Sequence, residues 1–538
     1  MQGHVRTTSR NYPHRSWSGY ILRHYSLSLG IILQGCGIMA DLATIAIISF
    51  YCLAMIGIGG WASRKIKNTE DYLVAGRSLG FWVFVLLMIG TVCSGMSLLG
   101  VSGLGYKFGW PTFWEQIFVP LSIAFCVIFF GVKLHSITRT TGYITVQDYL
   151  AHRYESPTAL RTLSALSGII VSLIYLVGQY TAIAIVLMWL FEIPLWLALI
   201  IATLVVTIYT TIGGLYAVAW AALIQSLILI GGVVIMAPLI IFYAGGFTHV
   251  NEYMASVNPD LVRPWLTEGM LFTPSYLVSF GVLLIVGLAC APHVINNILA
   301  VRDAKLFAWA PLLGFVIYCA VMFLLKFAGF AGIVLVHEGA FTLPDVPNAQ
   351  DFVILYGIQN AIPHVALWSI FAVIVLAAVM STTDRLMLTI GAMFSWDIYK
   401  KLIRPDAPDR QILFVSKIVV VLSALVTMII ALNPPEMLAF LIWMGIGVML
   451  STFAIPLLAG LYWRRATRMG AIVSMTSGLI AAGVFGVYYQ YIEMLPLHFS
   501  FYAVVVSFIA MVVVSLLTEK TDEKILDETK TGWFIRCP

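Results

Sequence analysis

The sequence predicts an all-α integral membrane protein with thirteen transmembrane helices, and three observations lead to this prediction. Of the 538 residues, 61% are hydrophobic and only 10% are charged, whereas a soluble domain carries about 25% charged residues. Apolar segments long enough to cross roughly 30 Å of hydrocarbon recur along the chain. Lysine and arginine concentrate in every second loop between those segments, which is typical of multi-pass membrane proteins.

The composition also argues against several other classes of protein. The net charge of +5 comes from residues in the loops, so it does not indicate a surface for nucleic acid. Most of the seven cysteines lie in apolar segments, which is not the pattern of a disulfide framework. No GxSxG motif, HExxH motif or pair of catalytic carboxylates occurs in the apolar segments, so we do not expect an enzyme.

The chain divides into a tail at each end and one membrane domain. Residues 1–38 are rich in Arg, His and Ser, and their one apolar run, which ends at Cys36, is too short to span. We expect this stretch to lie outside the membrane domain, or to reflect a mistaken start upstream of Met39. Residues 39–517 form the membrane domain, and 518–538 form a cytoplasmic tail. The predicted spans are approximately 43–62, 79–104, 113–134, 160–190, 192–212, 215–244, 276–300, 307–336, 363–396, 411–432, 435–461, 469–490 and 499–517.

The loops on the two sides of the membrane differ in charge. We call the side with most of the lysines and arginines the positive face; its loops lie at 64–77, 139–153, 302–305, 400–410 and 464–468, with the tail from 520. The opposite loops hold only Lys107 and Arg263, together with six acidic residues. Because loops rich in Lys and Arg stay in the cytoplasm, the N-terminus is predicted to be outside and the C-terminus inside.

The second, seventh and ninth spans contain polar and helix-weakening residues at mid-membrane. The second reads GTVCSGMSLLGVSG from Gly90, the seventh contains Pro292 and His293, and the ninth contains STTD at 381–384. Unwound backbone survives in hydrocarbon only where it lines a cavity or lies inside protein. Interrupted helices at this depth are typical of ion and substrate sites in transporters. Close packing of a Gly/Ser-rich helix on a neighbour is the alternative interpretation.

Five residues in these spans could supply oxygen ligands to a small hard cation. Gly90 and Cys93 lie three positions apart and would direct their carbonyls to one side. Ala378, Ser381 and Thr382 share one face of the ninth helix. Together they offer three carbonyls and two hydroxyls without net charge, which suits sodium better than a divalent ion. The alternative is that both hydroxyls bond back to their own helix.

Several motifs, taken in order, resemble the sodium/solute symporter family from about residue 40 to 517. They are EDYLVAGRSLG (70–80), YITVQDYLAHRY (143–154), TTIGGLYAVAWAALIQ (210–225), APH (291–293) and AVMSTTD (378–384). Three more resemble its sodium/pantothenate branch: NPDLVRP (258–264), LNPPEMLAFLIW (432–443) and AGLYWRRATRMGAIVSM (459–475). The resemblance implies a leucine-transporter-type fold whose helices 2–6 and 7–11 form a 5+5 inverted repeat. The five-span spacing between the interrupted second and seventh spans is as expected for such a repeat.

The resemblance also implies sodium-driven symport of a small organic solute, such as pantothenate, another small carboxylate or an amino acid. The coupling ion is Na⁺, and the family's main sodium site falls on the residues named above: Gly90, Cys93, Ala378, Ser381 and Thr382.

The sequence departs from the family's pattern at three places. Trp220-Ala221-Ala222 stands where the family usually has Trp-Thr-Asp, so a carboxylate that some members use for a second sodium is missing. Asn297 replaces an Arg that usually follows the PH motif, and Arg385 replaces a small or uncharged residue. These departures favour one sodium per cycle and leave the solute open. Asp384 is the candidate ion or proton carrier; pairing with a basic group is its alternative role.

Candidates for binding the solute are polar and aromatic residues near the interruptions, since a pocket needs a few polar groups on apolar walls. They are Ser94, Gly95, Ser97, Tyr175, Gln179, Cys290 and Trp443. For Tyr175 and Trp443, ordinary helix packing is the alternative role.

Three functions stay open on the sequence. The first is sodium-coupled uptake across the cell (inner) membrane, the second is the same fold coupled to protons through Asp384 or His293, and the third is a membrane sensor or scaffold that does not transport. The expected partners are the solute, sodium and bilayer lipid, with no nucleic acid and no obligate protein partner.

Overall fold

The computed structural model describes residues 42–532 apart from 347, 363, 434–437 and 493–494. The expectation for residues 1–38 therefore lies outside the described part of the chain. Within that part the backbone is helical, and its extended pairing is a single isolated bridge between Leu79 and Val301. The prediction of an all-α protein is confirmed.

The α-helices, in chain order, are α1 (Leu42–Ser63), α2 (Thr69–Val74), α3 (Phe81–Val92), α4 (Val101–Phe108), α5 (Glu115–Phe125), α6 (Val132–Thr141), α7 (Val146–Arg153), α8 (Ala159–Phe191), α9 (Leu195–Tyr243), α10 (Gly246–Val257), α11 (Pro274–Val282), α12 (Pro292–Leu299), α13 (Ala310–His337), α14 (Val353–Ala361), α15 (Val365–Ala392), α16 (Asp409–Ala431), α17 (Leu438–Met449), α18 (Ile455–Tyr462), α19 (Arg468–Tyr491), α20 (Phe499–Leu517) and α21 (Glu523–Glu528). Wider π-helical stretches lie at Met96–Gly100, Cys126–Gly131, Leu283–Gly287, Met393–Ile403 and Leu450–Ala454. Short 3₁₀ turns lie at Ala75–Arg77, Trp110–Trp114, Pro259–Val262, Ala304–Ala308 and Ala349–Phe352.

The number of membrane spans agrees with the sequence once one long helix is divided. In the described chain, eleven helical runs are long and apolar enough to span, and the bent pair Phe81–Val92 and Met96–Phe108 makes a twelfth. Helix α9 has 49 residues, or about 74 Å at 1.5 Å per residue, more than twice the hydrocarbon thickness. Within it Gly214 adopts φ 52° and ψ −154°, so α9 contains two spans and the total is thirteen.

Gly214 also allows a close approach between two elements. A Cβ added at this position would lie 2.4 Å from the ring of Tyr72 on α2, and a side chain there would also be strained by the positive φ. The short helix α2 can therefore pack directly against the break in α9.

The predicted interruptions of the second and seventh spans are present. In the second, α3 and the run Met96–Phe108 meet at an angle of 64°, and Cys93 between them is extended. In the seventh, Ala291 is extended, with φ −62° and ψ 130°. The ninth span is different: α15 continues as a helix through residues 381–384, so the predicted interruption there is wrong. The hydroxyls of this stretch are compatible with a continuous helix. The Thr383 hydroxyl, for example, donates back to the Val379 carbonyl at 2.7 Å.

The interrupted spans are enclosed by the long helices. Helix α9 packs on α15 and α1, α8 packs on α15 and α17, and α19 and α20 form a hairpin against Leu450–Ala454. The loops of the positive face contact one another: Arg77 donates to the Tyr143 carbonyl at 3.0 Å, and Arg139 donates to the Arg302 carbonyl. These contacts place the positively charged loops on one side of the helix assembly.

The C-terminal tail packs on that same face. Helix α21 pairs with the loop before α19, where Arg464 contacts both Glu523 and Asp527. The His152 side chain lies 3.1 Å from Glu528. Beneath the tail, Arg161 lies 2.7 Å from both Asp148 and Asp397, so charged contacts link α7, α8 and the end of the ninth span.

Candidate functional site

The five residues predicted to bind sodium lie together where α3 ends against α15. The Ser381 hydroxyl lies 2.8 Å from the carbonyl oxygens of both Gly90 and Ala378. The Thr382 hydroxyl lies 3.0 Å from the carbonyl oxygens of both Gly90 and Cys93. All four of the residues with side chains are buried. We call this group, Gly90, Cys93, Ala378, Ser381 and Thr382, the oxygen cage.

The interruption in the second span is what leaves two of these carbonyls available. In an unbroken helix the Ser94 N–H would bond to the Gly90 carbonyl, but it bonds to the Ser97 hydroxyl at 3.1 Å. Likewise the Ser97 N–H would bond to the Cys93 carbonyl, but it bonds to the Ser94 carbonyl at 2.9 Å. Both carbonyls, released from these helical N–H partners, lie at the C-terminal end of α3, where the helix dipole favours a cation.

The electrostatics of the oxygen cage also favour a cation. Its five oxygen atoms are the hydroxyls of Ser381 and Thr382 and three backbone carbonyls, and each hydroxyl lies between two of those carbonyls. A hydroxyl can donate to only one acceptor at full strength. The cage therefore has more lone pairs than donors, and it is sealed from water by its burial. A small cation coordinated by these neutral oxygens would satisfy those lone pairs.

Five of the seven predicted solute residues gather beside the cage. The Gly95 N–H donates to the Gln179 side chain at 3.0 Å, and the Tyr175 side chain interacts with Ser94. Ser97 shares a hydrogen bond of 2.7 Å with the Tyr318 hydroxyl. Gly95 permits this close packing, because a Cβ added there would lie 2.3 Å from the Cβ of Ala182 on α8.

Tyr318 is the residue of this group that the sequence analysis missed. It lies in the first third of α13 and is fully buried, and its hydroxyl also donates to the Val92 carbonyl at 3.3 Å. The available signal was a tyrosine within a predicted membrane span, since a buried hydroxyl needs a polar partner.

The other two predicted solute residues lie elsewhere in the described structure. Cys290 is buried at the interruption of the seventh span, with its N–H bonded to the Val286 carbonyl at 3.0 Å. Trp443 packs edge-on against Phe280, with ring centroids 4.7 Å apart, and lies beside the Glu115 carboxylate. Among the described residues, no hydrogen bond or ring contact joins either residue to the group around Gly95, so helix packing accounts for Trp443.

Glu115 belongs to an ion pair in the membrane interior. Its carboxylate lies 3.3 Å from the Lys326 ammonium, and both side chains are completely buried. The pair joins α5 to α13 close to the aromatic cluster around Trp443. Lys326 is therefore compensated within the protein and is not a free cation for a ligand.

Asp384 is hydrogen-bonded to α9 and to no residue of the oxygen cage in the described structure. Its carboxylate accepts hydrogen bonds from Tyr209 and, at 3.0 Å, from Thr210, both on α9. Its other oxygen has no partner in the described structure. None of the ion pairs found between residues 42 and 532 includes Asp384, so the alternative of pairing with a basic group does not describe this structure.

The fold and the site together define a class of protein. An all-α membrane protein with interrupted second and seventh spans, and with a buried cage of neutral oxygens at one interruption, has the architecture of a secondary active transporter. The model of the sodium:solute symporter family matches residues 72–478. The chain belongs to this family, and it is a sodium-coupled symporter of a small solute rather than an enzyme.

Relatives and solved structures agree with this assignment. The chain is 27% identical to the sodium/pantothenate symporter of Haemophilus influenzae, over 86% of this chain and 94% of the relative. It is 25% identical to the osmoregulated proline transporter of Bacillus subtilis, over 88% and 94%. A Na⁺-coupled sialic acid symporter, solved substrate-bound and outward-open, superposes with a TM-score of 0.76 at 18% identity, covering 90% of this chain and 99% of that one.

A second solved structure, Mhp1 of the nucleobase-cation-symport-1 family with bromovinylhydantoin bound, gives a TM-score of 0.55 at 16% identity, over 86% and 99%. At these identities the structural matches establish the fold alone. That fold is the leucine-transporter type that the sequence predicts.

Proposed function

We propose that this symporter carries one sodium ion, bound in the oxygen cage, together with a small carboxylate or amino acid into the cell. The observation that carries the proposal is the position of the Ser381 and Thr382 hydroxyls, each between two carbonyls at the end of α3. The protein lies in the plasma membrane with its positive face in the cytoplasm, because positively charged loops are retained there.

The coupling follows from continuity of the backbone. Gly90 and Cys93 contribute to the cage, and the next two residues, Ser94 and Gly95, contact Tyr175 and Gln179 of the solute group. An ion bound by the carbonyls fixes the backbone that presents these groups to the solute. Binding of either ligand therefore favours binding of the other.

The named solutes of the relatives support the chemical class. Pantothenate and proline share a carboxylate and otherwise differ in size and shape. A small carboxylate or amino acid is accordingly the substrate class that we propose for this chain.

Proton coupling is the second candidate, and Asp384 favours it. This carboxylate is fully buried, has one oxygen without a partner in the described structure, and is held by the Tyr209 and Thr210 hydroxyls. Such a group could take up and release a proton while the other oxygen stays fixed.

Uptake into proteoliposomes separates the two candidates. D-Pantothenate, L-proline and a panel of small carboxylates are offered with an inward sodium gradient, and then with an inward proton gradient in sodium-free N-methyl-D-glucamine buffer. We expect accumulation of at least one solute with sodium only. Equal accumulation with protons only, abolished by Asp384→Asn, would favour the second candidate and contradict the first.

The oxygen cage predicts one sodium per cycle, because Ala221 and Ala222 provide no carboxylate for a second ion. The initial uptake rate should rise with sodium concentration with a Hill coefficient near one. The measurement uses saturating solute and constant ionic strength, and Asp384→Asn serves as the matched variant. A coefficient near two that persists in Asp384→Asn would indicate a second sodium site away from both groups.

A further inference from the structure

Arg385 is a buried charge without a counterion in the described structure. It is only 2% exposed, its Nε atom has no hydrogen-bond partner, and no ion pair between residues 42 and 532 includes it. Arg153, which is equally buried, shows the contrast: it donates to the carbonyls of Gly460, Trp463 and Ala466. An uncompensated guanidinium in the membrane interior is costly and is typical of a functional site.

Two further buried residues, on helix α12 packed against α15, also have polar atoms without partners. Neither ring nitrogen of His293 has a hydrogen-bond partner in the described chain, and this imidazole interacts electrostatically with Arg385. Asn297 follows His293 by one turn of α12 and has an unpaired Oδ1, while its Nδ2 donates to the Thr91 hydroxyl at 3.0 Å. We call Arg385, His293 and Asn297 the arginine cluster.

The arginine cluster adjoins both ligand groups of the proposed function. Arg385 follows Ser381 by four residues on α15, and long side chains on a helix incline over the preceding turn. Thr91, which holds Asn297, is next in sequence to Gly90 of the oxygen cage. On the other side, the His293 ring contacts Tyr175 edge-on, with centroids 5.6 Å apart. The cluster therefore adjoins the oxygen cage through Thr91 and the candidate solute residues through Tyr175.

We infer that the arginine cluster binds the carboxylate of the transported solute, an inference that rests on the proposed function above. A guanidinium donates two parallel hydrogen bonds that match a carboxylate. A His293 N–H supplies a further donor, and the Asn297 Oδ1 accepts from a hydroxyl, amide or ammonium next to the carboxylate. The substrate class is thus a small carboxylate that carries a hydrogen-bond donor.

The position of Arg385 also gives a direct form of coupling. Sodium in the cage and the guanidinium are like charges about one helical turn apart, in a medium of low dielectric constant, so they repel each other. A carboxylate bound between them offsets this repulsion. The solute therefore tightens sodium binding, and sodium tightens solute binding by the same factor.

The test is ²²Na⁺ binding to the purified full-length protein in lipid nanodiscs, in N-methyl-D-glucamine methanesulfonate at constant ionic strength. The probes are D-pantothenate and L-proline, their counterparts without a carboxylate, D-pantothenol and L-prolinamide, L-lactate as a third carboxylate, and chloride. In the wild type we expect at least one carboxylate to lower the sodium Kd about tenfold. The counterpart without a carboxylate should have no such effect, and chloride is the corresponding control for lactate.

Arg385→Gln gives the distinguishing result. Removing the positive charge should tighten sodium binding without solute about tenfold and abolish the effect of the carboxylate, whereas a merely structural role would weaken sodium binding. Arg385→Lys should keep part of the carboxylate effect, and it serves as the test if the Gln variant does not fold. Thr383→Ala, a buried change on the same helix, should behave as the wild type.

Three outcomes would overturn the inference: a carboxylate effect that persists in Arg385→Gln, chloride reproducing that effect in the wild type, or no carboxylate altering wild-type sodium binding. Failure of the proposed function looks different. In that case the wild type would bind no sodium saturably, or Ser381→Ala would leave the isotherm unchanged.

Discussion

Replacing Ser381 or Thr382 by alanine is expected to weaken apparent sodium affinity roughly ten- to a hundredfold. Each change deletes one oxygen of the cage, and an under-coordinated ion in a buried site is costly. A lost contact of this kind corresponds to about 1–3 kcal/mol. Thr382→Ala should have at least as large an effect, because the Thr382 hydroxyl bonds only to carbonyls of the second span, whereas Ser381 also bonds to Ala378 in its own helix.

The measurement is the sodium dependence of initial solute uptake in proteoliposomes. At subsaturating sodium the apparent solute affinity should also weaken, and it should recover as sodium is raised. Thr383→Ala is the matched control, since the Thr383 hydroxyl bonds back to Val379 and lies about 100° around the helix. If both cage variants reach normal membrane levels with wild-type sodium dependence, the assignment of the cage is wrong.

Replacing Lys326 by methionine is expected to lower the free energy of unfolding by about 3–5 kcal/mol. Glu115 and Lys326 are completely buried and lie 3.3 Å apart, so the single change leaves a buried carboxylate without its counterion. The readout is the thermal unfolding midpoint of the purified protein in one detergent. The double variant Glu115→Gln, Lys326→Met removes both charges and should recover most of the lost stability. A double variant that is no more stable than the single one would show that the pair is not what stabilises this region.

Much of the fold could be predicted from the sequence because the physical signals were strong. Apolar length indicated all thirteen spans, including the two, 192–212 and 215–244, that the structure joins in the 49-residue helix α9. The oxygen cage was predictable as well, since Gly90 and Cys93 share a side of an interrupted helix and Ser381 and Thr382 share a face of another.

The remaining features depend on contacts between distant segments. Nothing local to Tyr318 indicates that it bonds to Ser97, more than two hundred residues away. The ninth span was predicted to be interrupted because it contains STTD, yet its hydroxyls find carbonyl partners across the helix interface and leave α15 intact. Asn297 and Arg385 were recognised only as separate departures from the family pattern, and the structure packs the helices that carry them, α12 and α15, against each other.

The binding of a single sodium in the oxygen cage sets the electrical character of transport. The protein's own charges return to their starting positions in each cycle, so only the sodium and the solute move net charge across the membrane. With a monoanionic solute and one sodium, the cycle moves no net charge, so the membrane potential does not drive accumulation. A tenfold sodium gradient, about 1.4 kcal/mol, then sustains at most about tenfold accumulation. With a zwitterionic solute, each 100 mV adds about 2.3 kcal/mol and the cycle generates a current.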